Sequence, residues 1–177
     1  MNRNVFWELL EAAKKASGQD ESMQAELLTE ALTEYEPAQI AEFECLLCEY
    51  LLEADHFGIL AAEKIIDGYV TDDSYLYFRC WLIAQGEDVF HAALRHPDSL
   101  ADVVEARFPE CEALLGVADE AFERRTGQTE DEEAYPSNIA AARGLDYEYG
   151  SQTKGEDWTE NQLPKLLPKL WKKFGGA

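Results

Sequence analysis

Between Lys15 and Lys64 the chain has no lysine and no arginine, although Asp20, Glu21, Glu26, Glu30, Glu34, Glu36, Glu42, Glu44, Glu49, Glu53, Asp55 and Glu63 all fall there. Over its 177 residues, 36 acidic side chains face 15 basic ones, giving a formal charge of −21. A surface this negative repels phosphate backbones and anionic lipid, so sequence-independent binding to nucleic acid or a membrane surface is disfavoured. The partners left are basic, or small and neutral. Also missing is any apolar run of roughly 20 residues, the length a bilayer-spanning helix needs. No glycine-rich phosphate loop or nucleophile elbow occurs, since Gly116 and Gly127 stand alone. Histidine is scarce as well. His56, His91 and His96 are the three imidazoles, and Pro97 disrupts the one pair close enough to share a face. No catalytic residue, metal or cofactor is therefore expected. Residues 1–8 are amphipathic and lack the basic, apolar and small-residue zones of a signal peptide, so a cytoplasmic protein is expected.

What is present is helical spacing. Hydrophobic residues make up 46% of the chain, enough at this length for one core without metal or disulfide. Phe6, Leu9, Leu10 and Ala13 fall at i, i+3, i+4 and i+7, with Lys14 and Lys15 suited to the negative helix end before Gly18. Ser22 is the expected cap of a second helix, with Leu28, Ala31, Leu32 and Tyr35 inward. Pro37 opens a third, whose apolar positions run Ile40, Phe43, Leu47, Tyr50, Leu51 and Ala54 while Glu42, Glu49 and Glu53 point away. A short fourth helix runs from Phe57 to Ile66. No segment alternates long enough to make a strand. The four cysteines, Cys45, Cys48, Cys80 and Cys111, read as reduced core thiols. Cys45-x-x-Cys48 has zinc-knuckle spacing but lies mid-helix without a second pair, and thioredoxin-like chemistry needs such a pair at a helix start.

The middle of the chain is the most distinctive part. Thr71 or Asp72 is a good N-cap, Asp72 and Asp73 suit the positive end of the dipole, and Gly86 ends the helix. Within it Ser74, Phe78, Trp81, Leu82 and Gln85 share a broad face bordered by Tyr77. Arg79, the one strong cation between Lys64 and Arg95, is expected to pair with Glu63, Asp67 or Asp73 and tie the fourth helix to the fifth. Further helical spacing covers Val89 to Leu94, then Leu100, Val103 and Val104, and Pro109 is expected to open a helix through Cys111, Leu114, Leu115, Ala118 and Phe122. The expected fold is a single-domain all-α bundle of about seven to nine helices. Residues 1–126 form its body, 127–156 a long acidic surface loop, and 157–177 a basic amphipathic segment docking back through Trp171.

These residues resemble a known family. Phe6-Trp7-x-x-Leu10, the Ala61-Ala62 pair, Asp72-Asp73-x-Tyr75-x-Tyr77-Phe78-Arg79-x-Trp81-Leu82-Ile83-x-x-Gly86, Pro97-Asp98-Ser99-Leu100, Gly155-Glu156-Asp157-Trp158 and Pro168-Lys169-Leu170-Trp171 look like the bacterial family catalogued as domain of unknown function 4240. The resemblance implies a small, cytosolic, helical protein with no assigned catalytic activity. Two departures stand out, since the family usually has Leu-Trp before its Ala-Ala pair and Gly-Gly-Cys-Ser before its Asp-Asp. This chain has His56-Phe57 and Gly68-Tyr69-Val70-Thr71 there.

Charge remains the strongest functional signal. A dense anionic face speeds encounter with a basic surface and can occlude one meant for nucleic acid or nucleotide. The expected function is therefore a non-enzymatic acidic protein that binds and neutralises a basic protein partner, most concretely an immunity protein or antitoxin for an antibacterial toxin domain. The expected contacts are Glu42, Glu49 and Glu53, or the loop Glu130-Asp131-Glu132-Glu133 with Tyr135, which is expected to order on contact. The rival is a small-ligand regulator or enzyme with a pocket formed by Tyr69, Asp72, Asp73, Tyr77, Arg79 and Trp81.

Overall fold

A computed structural model describes residues 1–18, 20–130, 132–147 and 152–175. The third helix, α3 (Pro37–Ala54), runs through the centre: Pro37 occupies its first turn, Gln39 Oε1 accepts from the N–H of Glu36 at 3.2 Å, and it is buried on nearly every side. Against it lies α1 (Arg3–Ser17), capped by Asn2 and ended by Gly18 in the left-handed conformation. Phe6 and Trp7 meet Phe43 and Tyr50 of α3, with ring centroids 4.6 to 5.2 Å apart. The Trp7 indole N–H donates to the Tyr50 hydroxyl at 3.0 Å, so the polar ends of both buried rings are satisfied. Each large apolar side chain fully buried here contributes about 1.5 to 3 kcal/mol before the entropy of ordering it.

Around this pair are arranged α2 (Glu21–Leu32), α4 (Phe57–Asp67), α5 (Asp72–Ala84), α6 (Glu87–Arg95) and α7 (Val117–Thr126), with 3-10 turns at Pro97–Asp102 and Glu112–Gly116. Together with α1 and α3 they make seven helices of nine residues or more, in line with the all-α expectation, and among the described residues there is no strand beyond an isolated bridge between His56 and Lys154. The cap of α2 is Asp20, accepting from the Met23 N–H at 2.8 Å, and not Ser22. The carboxylate two residues upstream is the better acceptor at the dipole's positive end, and it places Glu21 in the first turn. Thr71 caps α5 in a reciprocal box: its Oγ1 accepts from the Ser74 N–H at 3.1 Å, and Ser74 Oγ accepts from the Thr71 N–H at 2.9 Å. Pro109 does not open a helix. The Cys111 N–H is committed to the Tyr77 carbonyl at 3.2 Å, so winding begins only at Glu112 and becomes α-helical at Val117.

The C-terminal third is bound to this body at several points. The acidic run at Thr129, Glu130, Glu132 and Glu133 is exposed, but residues 127–156 are not surface throughout: α8 (Pro136–Ala142) lies across α3, with Ala140 packed on Cys45 and Cys48. Farther on, the Lys154 N–H donates to the Asp55 carbonyl and the Phe57 N–H to the Lys154 carbonyl, both at 2.9 Å, stitching this strand of chain between α3 and α4. A 3-10 turn (Glu160–Gln162) leads to α9 (Leu163–Leu166) and α10 (Pro168–Phe174). Asp98 caps α10 from outside, its carboxylate accepting from the N–H groups of Lys169 and Leu170 at 3.0 and 2.9 Å. Leu163, Leu167 and Leu170 are buried, whereas Trp171 is 38% exposed. On so short a helix Leu170 takes the inward position and turns its neighbour outward, so the docking residue is Leu170 and not Trp171.

Candidate functional site

The interval without cations receives them from elsewhere in the chain. Arg143 beyond α8 reaches Glu42 at 2.9 Å, Arg3 reaches Glu49 at 2.9 Å, Arg124 of α7 forks onto Glu26 and also meets Glu120, and Arg125 reaches Glu36 at 3.5 Å. Of the expected contact triple on α3, Glu53 alone has no ion pair among the described residues. Glu44, Asp55 and Glu63 are buried and take no part in any anionic face. The acidic loop is already held: Asn138 Nδ2 donates to the carbonyls of Glu130 and Glu132 at 2.7 and 3.0 Å. Tyr135 is buried, donates to Glu123 at 2.8 Å and packs edge-on against Phe122, which makes it a core residue and not a partner contact. Asp131 lies outside the described residues.

The six residues expected to form one pocket are dispersed. Asp72, Asp73 and Arg79 border a cleft of about 460 Å³ shared with Asp55, Tyr75 and Thr153. Trp81 lines a different hollow beside Lys14, Gln24 and Gln85. The hydroxyl of Tyr77 donates to Glu112 at 2.9 Å, and Tyr69 stacks on Phe108. Arg79 does not join α4 to α5. Its Nη1 donates to the Leu51 carbonyl at 3.1 Å, and its guanidinium lies 4.7 Å from the centre of the Tyr75 ring. With the Tyr75 hydroxyl bonded to the Ala54 carbonyl at 3.2 Å and Lys154 Nζ to that of Leu52 at 2.8 Å, Arg79 completes the end of α3, which has no basic residue in its own last turn. The four cysteines are free and buried, and burial raises the thiol pKa of each, that of Cys111 to about 11. His56 caps α4, its Nδ1 accepting from the Gly58 N–H at 3.0 Å.

One surface combines exposed aromatic area with several nearby acids. Phe108 adopts φ +61°, a left-handed conformation that a bulky residue ahead of a proline rarely takes, and its N–H is held by Asp67 Oδ1 at 2.7 Å. Both Phe108 and Tyr69 remain 52% exposed, with ring centroids 5.9 Å apart. From Phe108 the chain continues through Glu110 to Glu112, where it meets Tyr77 within the field of Asp73. The flanking cations are turned inward: Lys64 donates to the Gly68 carbonyl and pairs with Glu160, while Arg107 donates to the carbonyls of Ile66 and Phe174. Arg107 nonetheless keeps its charge and its field acts on Asp67, whereas Glu110, Glu112 and Asp73 have no ion pair among the described residues. A model of the family described as a protein of unknown function, DUF4240, matches residues 1–124. The chain belongs to the DUF4240 family. This surface lies wholly within the DUF4240 segment, as do α1 to α6. No curated protein and no solved structure matches the chain.

Two further residues of chemical interest escape a reading by periodicity. Glu44 is 4% exposed and Glu63 fully buried, and Oε2 of each has no hydrogen-bond partner. Glu44 Oε1 accepts from the Cys48 thiol at 3.4 Å, and Glu63 Oε1 from the Ser74 hydroxyl at 2.7 Å. Burial pushes both carboxyls up to about 7, aided at Glu44 by the nearby Asp119. The signal for Glu44 lay in its neighbours, since Cys45-Leu46-Leu47-Cys48 is apolar around the whole helix and leaves no side for water.

Proposed function

We propose that the protein is a non-enzymatic binder of a basic protein in the cytoplasm, and that the Tyr69–Phe108 surface is its point of capture. The observation that carries this reading is Phe108, held in a strained backbone conformation with half of its ring in water beside Glu110, Glu112 and Asp73, which have no ion pair among the described residues. Strain and an exposed aromatic pair do nothing for the isolated fold. Aromatic anchors ringed by charge are the pattern of an interface hot spot, with the acids steering a basic partner and the rings supplying contact area. An inhibitor of a basic toxin domain, an immunity protein or antitoxin, is the concrete form of this reading.

The test is affinity capture from the native host at low and moderate salt, followed by reconstitution with the purified partner. A basic protein should be retained by the native chain and by Glu42→Lys/Glu49→Lys/Glu53→Lys, and lost with Tyr69→Ala/Phe108→Gly. If both variants bind as the native chain does, the reading fails. An identified partner with antibacterial activity that the protein suppresses would support the immunity form, and one without such activity would remove it.

A further inference from the structure

Beneath α8 the molecule holds a second feature that partner capture does not use. A cavity of about 330 Å³ is bounded by Glu44 and Cys48 of α3, Ser137 and Ala141 of α8, and Leu145 and Asp146 just beyond. Glu44 is 4% exposed, and its Oε2 is buried without a hydrogen-bond partner. The titratable groups whose fields act on or feel Glu44 are Cys45 and Cys48 on its own helix, Asp119 on α7 and Cys80 on α5, all neutral or negative, and Asp146 and Tyr147 also line the cavity. Arg143, the cation on this side of the molecule, is bound to Glu42. Glu44 thus brings to the edge of this space a carboxyl with one oxygen lacking a donor, and a ligand that supplies a donor to the group is favoured, because an unmet buried acceptor is unfavourable.

The donor set narrows the ligand. Among the described residues, no group of three or more His, Cys, Asp or Glu side chains is placed to hold a metal ion. The walls are mixed, with the carboxyls of Glu44 and Asp146 and the hydroxyl-bearing Ser137 and Tyr147 beside Ala140, Ala141 and Leu145. Such walls suit a cationic head on a short apolar stem. We propose that the cavity between α3 and α8 binds a primary alkylammonium group, its NH₃⁺ pairing with Glu44 and its stem lying along Ala140, Ala141 and Leu145. The group is supplied either by a free amine or by the lysine side chain of a protein. The cavity adjoins α8 and not the Tyr69–Phe108 surface, so the inference stands apart from partner capture there.

The experiment uses the full chain and n-butylammonium chloride, with sodium and tetramethylammonium chloride as controls at the same ionic strength. Native protein should gain melting temperature saturably with butylammonium alone, and the half-protonation pH of Glu44, read by carboxyl carbon NMR, should fall by one unit or more from about 7. Glu44→Gln should abolish the response while still capturing partner at the other surface. Ala141→Leu, which fills the cavity from its exposed edge, should abolish it without touching the carboxyl and decides the matter if Glu44→Gln fails to fold. Saturation by Nα-acetyl-lysine amide as well as butylammonium assigns the site to a protein side chain, and saturation by butylammonium alone assigns it to a free amine. The proposal is overturned if Ala141→Leu responds like the native chain, if Glu44 titrates unchanged, or if magnesium or zinc saturates where butylammonium does not.

Discussion

Arg143 Nη1 lies 2.9 Å from Glu42 Oε2, so a carboxylate of the cation-free interval is neutralised by a residue more than 100 positions later. The pair clips the end of α8 to α3. Both groups are partly exposed, and such pairs contribute a few tenths to about 1 kcal/mol. Glu42→Lys should therefore lower stability by roughly that amount, and adding Arg143→Glu should restore most of it. Denaturant titration of the single and double variants is the check, and salt should shrink the difference.

The two buried carboxyls set a pH dependence whose sign is fixed. Each has a folded-state pKa raised from 4.5 to about 7, so its contribution is fully present below pH 4.5 and is lost as pH rises toward 7. Glu44 alone accounts for about 3 kcal/mol of such loss at 1.4 kcal/mol per unit. Stability should fall between pH 4.5 and 7, and Glu44→Gln should flatten part of that slope. A curve that rises over this window in both proteins would contradict the burial of these groups.

Thr71→Ala should cost about 1 kcal/mol by removing the acceptor for the Ser74 N–H, while Thr71→Ser should retain it. Chelator should leave the melting temperature of both variants where it was; a drop would point to a cation at the start of α5.

At position 108 the expectation is the reverse of an ordinary core change. Phe108→Gly relieves the left-handed strain and loses one exposed ring contact, so stability should stay within about 1 kcal/mol of the native value. Partner capture should vanish nonetheless. A loss of several kcal/mol in a thermal melt would make Phe108 a structural residue.

Gly155 is a position where a side chain has no room. Its φ is +88°, and an added Cβ would fall 2.6 Å from the His56 ring, which is itself held by the Gly58 N–H. Gly155→Ala should cost about 2 kcal/mol or more and open the segment from Thr153 to Asp157 to protease.

Helices α1 and α3 were legible because their apolar positions repeat at threes and fours, and the start of α5 because Thr71 precedes two aspartates. The site was less so. Sequence spacing shows which acids lie along one helix, but it cannot show that Arg3, Arg124 and Arg143 arrive from other helices to neutralise them. Arg79 misled for a related reason: its partners are the carbonyl of Leu51 and the ring of Tyr75, and backbone acceptors leave no mark in composition. Phe108 was hidden because a positive φ at a non-glycine residue is imposed by tertiary contacts, here the Asp67 carboxylate and the Cys111–Tyr77 bond, and not by local preference. Residues 136–142 read as loop in the sequence because a helix of seven residues has too few turns for its period to register.

Lys154, stitched between α3 and α4, has a consequence for how the chain can be divided. The match to the DUF4240 model covers residues 1–124, yet the carbonyl of Leu52, the thiol flank at Cys45 and Cys48, and the carboxylate of Asp98 are all met by residues beyond that point. The matched segment and the folded unit thus have different edges. A fragment trimmed to the family segment would leave Asp98 capping nothing, the Leu52 carbonyl without its lysine and Glu42 without its cation. It would be a less cooperative molecule than the one described, with new apolar surface where α8 and α10 had been seated.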